Sequence, residues 1–166
     1  MRVGKGDYIF LEGDPADESM LSIQFDNNFI VCLVVFFLKR GTVAYVIPKY
    51  YNFKFLKVKE GYYFGEIDLL FYGEIRKYTV QAVKTCELYV LNKKDFKQLF
   101  LMEFREIGLE FADLALSRKI RTRKTYKEAL AFLTKGGAKT DVFYSFFSTQ
   151  LIIKHVLRSR RVCNIK

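Results

Sequence analysis

At 166 residues the chain has room for one domain of ordinary size and a tail, and its 51% apolar and 17% aromatic content supports a packed core, which excludes global disorder. The formal net charge of +10 is unevenly placed: residues 118–166 carry 13 Lys/Arg against Glu128 and Asp141, whereas residues 1–117 carry 15 against 16 acids. A basic C-terminal part could meet nucleic acid or an anionic membrane face, but a solvated helix face and a loose end is the simpler account.

In chain order, turn signals recur at short spacing: Gly4, Gly6, Gly13-Asp14-Pro15, Gly41, Asn52, Gly61, Gly65 and Gly73. Between them lie β-branched and aromatic runs at 42–47, 53–58 and 78–83, the pattern of an antiparallel β-roll or barrel. The apolar run 29–38 is ten residues long, against about 20 needed to span a bilayer, and Asp26, Asn27 and Asn28 block its extension. No basic segment followed by an apolar one marks a signal peptide at the start, so the chain as given is expected to be soluble.

After Asn92 the period changes. Phe96, Leu99 and Phe100, then Phe104, Ile107, Phe111, Leu114 and Ala115, recur at helical spacing. Asn92 or Asp95 suits the cap of the first turn. Gly108 falls inside the second run and should weaken it by about 1 kcal/mol relative to Ala. That helix is expected to continue through 118–133 until Gly136-Gly137 stops it.

Catalytic chemistry finds little support. The single histidine, His155, lies in an apolar run, and no Gly-x-Ser-x-Gly elbow or metal-ligand cluster is present, so no enzyme is expected. Cys32, Cys86 and Cys163 are odd in number and widely spaced, indicating neither a zinc site nor a disulfide framework and fitting a reducing compartment.

The most informative stretch is Phe64-Gly65-Glu66-Ile67-Asp68-Leu69-Leu70, followed by Arg76-Lys77-Tyr78-Thr79-Val80. A glycine lets backbone approach a ligand closely, a glutamate accepts from sugar hydroxyls, and an arginine fork gives a phosphate two parallel donors. Singly, each residue reads more simply as a turn glycine, a helix-start acid and a solvated charge.

In this order and spacing the stretch resembles the phosphate-binding cassette of the cyclic-nucleotide-binding domain family. The flanks agree: residues 4–14 look like the family's first hairpin, 37–46 like its glycine-then-strand unit, and 86–96 like the last strand passing into the first C-terminal helix. The resemblance implies a mainly β fold with C-terminal helices (α+β), an antiparallel β-roll followed by a long lid helix, over residues 1–133, with a basic tail at 134–166. It implies cyclic AMP or cyclic GMP as ligand and no cofactor. Arg76 would hold the cyclic phosphate and Glu66 the ribose hydroxyl, with Gly65 beside it. The backbone at Ile67, Asp68 and Leu69 would face the phosphate, and Thr79 could add a hydroxyl. Leu56 and Val58 would line an apolar bed under the purine, or simply pack in the core. A helix over 103–130 would close over the base and carry the signal.

Several features depart from the family pattern. As given, the chain starts at the first hairpin without the family's leading helix, and residues 21–36 read as an insert, expected to be open to proteolysis, or alternatively as an extra buried hairpin. Residues 138–166 match nothing in the family. Asp68 stands where a small apolar residue is usual, so its carboxylate would repel the ligand unless turned away. The spacing from Glu66 to Arg76 is one residue longer, and Lys77 and Tyr78 replace small residues. Lys77 could compensate charge, and Tyr78 could crowd the pocket. The aromatic, lysine-rich wording most resembles the cytoplasmic module of cyclic-nucleotide-regulated voltage-gated cation channels. The rest of such a channel is then the expected partner, with oligomerisation through it and no nucleic acid. The alternatives are a ligand-free module of the same fold and a kinase regulatory-subunit-like sensor.

Overall fold

In the computed structural model, residues 1–14, 34–72 and 75–135 are described. Met1–Glu128 form one compact unit. Its described strands are β1 (Arg2–Val3), β2 (Tyr8–Phe10), β3 (Val34–Arg40), β4 (Thr42–Ile47), β5 (Phe53–Lys59), β6 (Tyr63–Phe64), β7 (Thr79–Ala82) and β8 (Cys86–Asn92). They make two four-stranded antiparallel sheets, ordered β1-β8-β3-β6 and β2-β7-β4-β5. The expected antiparallel β-roll with a long C-terminal helix is therefore present.

Pairing corrects one local reading. Residues 4–14 are no hairpin: β1 pairs with β8, whereas β2 pairs with β7 in the other sheet. Likewise β3 and β4, either side of Gly41, belong to different sheets.

Within β3 the apolar residues 34–38 pack on both faces of the sheet. Val34, Phe36 and Leu38 alternate with Val35 and Phe37. Phe36 lies opposite Phe64 in register, with ring centroids 5.1 Å apart, and Phe10 from the other sheet stacks on it at 6.0 Å. Val35 instead packs with Phe96 and Phe111, joined by Phe37, Tyr63 and Phe100. Of the expected insert 21–36, residues 34–36 are thus buried strand, so an insert does not extend to them; residues 21–33 lie outside the described residues.

Helix α1 (Lys93–Lys97) starts at Asn92, whose side chain accepts the Asp95 backbone N–H at 2.8 Å, as a cap should. A wide turn, Gln98–Glu103, follows, and Phe104 leaves helical geometry at φ −125° and ψ 58° before α2 (Arg105–Thr134) begins. The helical run is thus broken at Phe104. Phe111 and Ala115 are buried as their spacing predicts, but Phe104, Ile107 and Leu114 are more than half exposed. The inward stripe passes instead through Thr122 and Thr125. Gly108 has a packing role: a Cβ there would run into the Phe100 carbonyl oxygen.

A second unit comprises Ala129–Lys166, of which 129–135 are described. In it the Thr134 hydroxyl donates to the Leu130 and Ala131 carbonyls, closing the last turn of α2. Among the described residues no helix is long and apolar enough to cross a membrane. The tail from residue 136, with His155 and Cys163, lies outside the described residues, as does Cys32.

Candidate ligand-binding site

Gly65 ends β6 with φ +91°, a conformation that L side chains rarely adopt. A Cβ there would sit 2.8 Å from the Val34 carbonyl oxygen and 3.5 Å from Arg76 Nη1. The chain then turns through Glu66 and Ile67 into a single π-helical turn, Asp68–Tyr72. This brings two carboxylates inward, Glu66 at 1% exposure and Asp68 at 4%.

Arg76 is equally buried, at 3%. Its Nη1 donates to Asp68 Oδ2 at 3.2 Å and to the Gly65 carbonyl at 3.4 Å. Its guanidinium lies 4.4 Å from the centroid of the Phe10 ring, a cation–π distance. Backbone bonds fix it further: Arg76 N–H donates to the Asp14 carbonyl and Gly13 N–H to the Arg76 carbonyl, both at 2.9 Å. The longer spacing before Arg76 has therefore not carried it away from the Gly65 turn.

Asp68 does not turn away. It faces Arg76, and its Oδ1 accepts the Lys77 backbone N–H at 3.3 Å. Burial pushes the Asp68 carboxyl above its ordinary range, and the Arg76 charge and hydrogen bond together with Lys77 offset that only in part.

Glu66 has a different partner. Arg118 from α2 donates Nη1 to Glu66 Oε1 at 3.2 Å and to the Tyr63 carbonyl at 3.2 Å, and its guanidinium lies over the Tyr63 ring at 3.9 Å. Glu66 Oε2 is buried with no hydrogen-bond partner among the described residues, as is the Tyr63 hydroxyl. Burial raises the Glu66 carboxyl, Arg118 opposes the rise, and Asp68 adds to it.

The remaining expected residues fall around this cluster. Ile67 is buried behind it, and Lys77 is exposed. Thr79 is buried, with its hydroxyl accepting the Glu12 N–H at 2.9 Å. Leu56 and Val58 are half-buried on β5, opposite Tyr45 and Val43.

Tyr45 belongs to the site although nothing in its local sequence marked it. Its hydroxyl is pushed well above its usual value, first by burial and then by the Glu66 and Asp68 carboxylates. Tyr45 also packs against Phe55 and Tyr78, and Tyr126 of α2 closes on both of these at 5.3 Å. Tyr78 is thus packed within this aromatic group. Arg118 was missed as well; its signal was a position three residues after Ala115 on the buried stripe.

Residues 33–103 match the family model described as the cyclic nucleotide-binding domain. No curated protein matches the chain. Among solved structures, the chain is similar to the c-di-GMP responsive global regulator CLP of Xanthomonas campestris, with TM-score 0.58 and 16% identity over 81% of this chain and 58% of that one. It is similar to the EAL enzyme Bd1971 in its cAMP and cyclic-di-GMP bound form, with TM-score 0.52 and 18% identity over 89% of this chain and 34% of that one. A Geobacter metallireducens GS-15 protein described as cyclic nucleotide-binding aligns with TM-score 0.50 and 15% identity, covering 72% of this chain and 76% of that one. At such identities the likeness establishes the fold. The chain spans well under two thirds of the first two proteins.

Proposed function

We propose that the β-roll is a regulatory module that binds a cyclic mononucleotide, with the phosphate on Arg76 and the ribose hydroxyl on Glu66 Oε2. The supporting observation is the convergence of a buried guanidinium and a buried, half-unpartnered carboxylate on the Gly65 turn. A carboxylate oxygen desolvated without a partner is costly, and a ligand hydroxyl would relieve that cost. The family match and the cAMP-bound state of one neighbour agree with this reading.

In this proposal Gly65 admits the sugar, the backbone at Ile67, Asp68 and Leu69 borders the phosphate, Thr79 steadies the strand behind Arg76, and Lys77 adds positive charge at the rim. Leu56 and Val58, beside Tyr45, offer the base an apolar bed. Helix α2 reads out occupancy, because its Arg118 holds the same Glu66 that the sugar would engage. The parent we propose is a cyclic-nucleotide-regulated channel with its module on the cytoplasmic side, a choice supported by the cassette wording and the basic final helix. No enzymatic role and no nucleic-acid partner form part of this reading.

One observation favours a second reading, a ligand-free module: Arg76 and Glu66 are each already held by an internal partner. Calorimetric titration with cyclic AMP and cyclic GMP separates the two. Binding is expected, weakened about tenfold or more in Arg76→Lys, which keeps the charge but loses the planar fork. A folded sample giving no heat with either nucleotide supports the ligand-free module.

A further inference from the structure

Asp68 engages Nη1 of Arg76, a donor that the proposed phosphate would use. Its Oδ2 stands 3.2 Å from Arg76 Nη1, both side chains are almost fully buried, and the Lys77 N–H secures the other carboxylate oxygen. We propose that Asp68 is a resident counter-ion for Arg76, that an anionic ligand enters by displacing it, and that the displaced carboxylate takes up a proton. The inference rests on the cyclic-nucleotide reading and adds a coupling to pH.

Electrostatics makes displacement and proton uptake one event. Two buried carboxylates, Glu66 and Asp68, face one buried guanidinium, Arg76, and one partly exposed guanidinium, Arg118, so the charges balance. A phosphodiester adds a further negative charge. The charged and titratable groups around Asp68 are Arg76 and Lys77 from the segment before β7, Glu66 from its own turn, and Tyr45 from β4. Once Arg76 turns to the phosphate, Asp68 keeps Lys77 at the rim but faces Glu66 and the ligand, both negative. Burial already favours its neutral form in the unliganded chain. The loss of its counter-ion favours that form further.

Calorimetric titration of the full chain with cyclic AMP in buffers of different ionisation enthalpy is expected to show uptake on the order of one proton per ligand. The dissociation constant should fall as pH is lowered from about 7.5 to about 5.5, where the phosphodiester stays ionised. Asp68→Asn should bind about tenfold tighter at neutral pH and lose most of that pH dependence. Equal affinity in both chains without proton uptake overturns the inference and leaves nucleotide binding standing. No binding by either chain overturns the nucleotide reading and this inference with it. Should Asp68→Asn fail to fold, proton uptake by the unaltered chain decides alone.

Discussion

Glu66 and Asp68 are both held with raised carboxyl affinities for protons, chiefly by burial. The folded chain therefore binds protons more readily than the unfolded one, and stability falls as pH rises from the ordinary carboxylate range toward neutrality. Glu66→Gln removes one of the two groups while leaving Arg118 partly in water. Its melting temperature, relative to the parent's, should rise between about pH 5 and about pH 8, as thermal denaturation followed by circular dichroism would show. A parallel course of the two curves would mean that Glu66 is charged throughout at no cost. At the same scale, Gly65→Ala combines a left-handed backbone with a Cβ 2.8 Å from the Val34 carbonyl. A loss of about 1–3 kcal/mol in urea unfolding is expected, larger than a typical exposed substitution.

Helix α2 shows how much of an element its sequence discloses. Its existence was legible from apolar periodicity, as was the cap of the preceding α1 from Asn92. The phase was not. Phe104 breaks the preceding helical run, and within α2 apolar spacing alone placed Ile107 and Leu114 inward beside Phe111 and Ala115, although both are exposed. The true inward stripe carries Thr122 and Thr125, and Arg118 lies along it, where an apolar count does not look. Gly108 inverts an expectation in the same helix. By propensity, alanine should strengthen α2 by about 1 kcal/mol, yet its methyl would meet the Phe100 carbonyl. Gly108→Ala is therefore expected to destabilise by about 1–3 kcal/mol, measured by urea unfolding. A stabilised variant would show that the turn at Gln98–Glu103 yields easily.

Across the whole molecule, the two sheets share one aromatic core in which Phe10 of one sheet meets Phe36 and Phe64 of the other. Phe36→Ala should cost about 3–5 kcal/mol. The urea midpoint should drop with its slope unchanged, because both sheets lean on the same ring. The strands themselves were legible as β-branched runs between glycines. Their partners were not, since pairing is fixed by contacts distant in sequence. That Gly65 and Arg76 meet could be expected from their order, whereas Arg118 reaches Glu66 only through helix packing.

The pairing of β1 with β8 and of β2 with β7 bears on the order of events during synthesis. Within this segment the earliest described strands are partnered by the latest, so one sheet cannot be completed until residue 82 has been made and the other until residue 92. Until then their edges stay open, and closure must overcome the entropy of a long loop. Such a topology folds slowly, and its edges stay open to pairing with other chains until the late strands arrive.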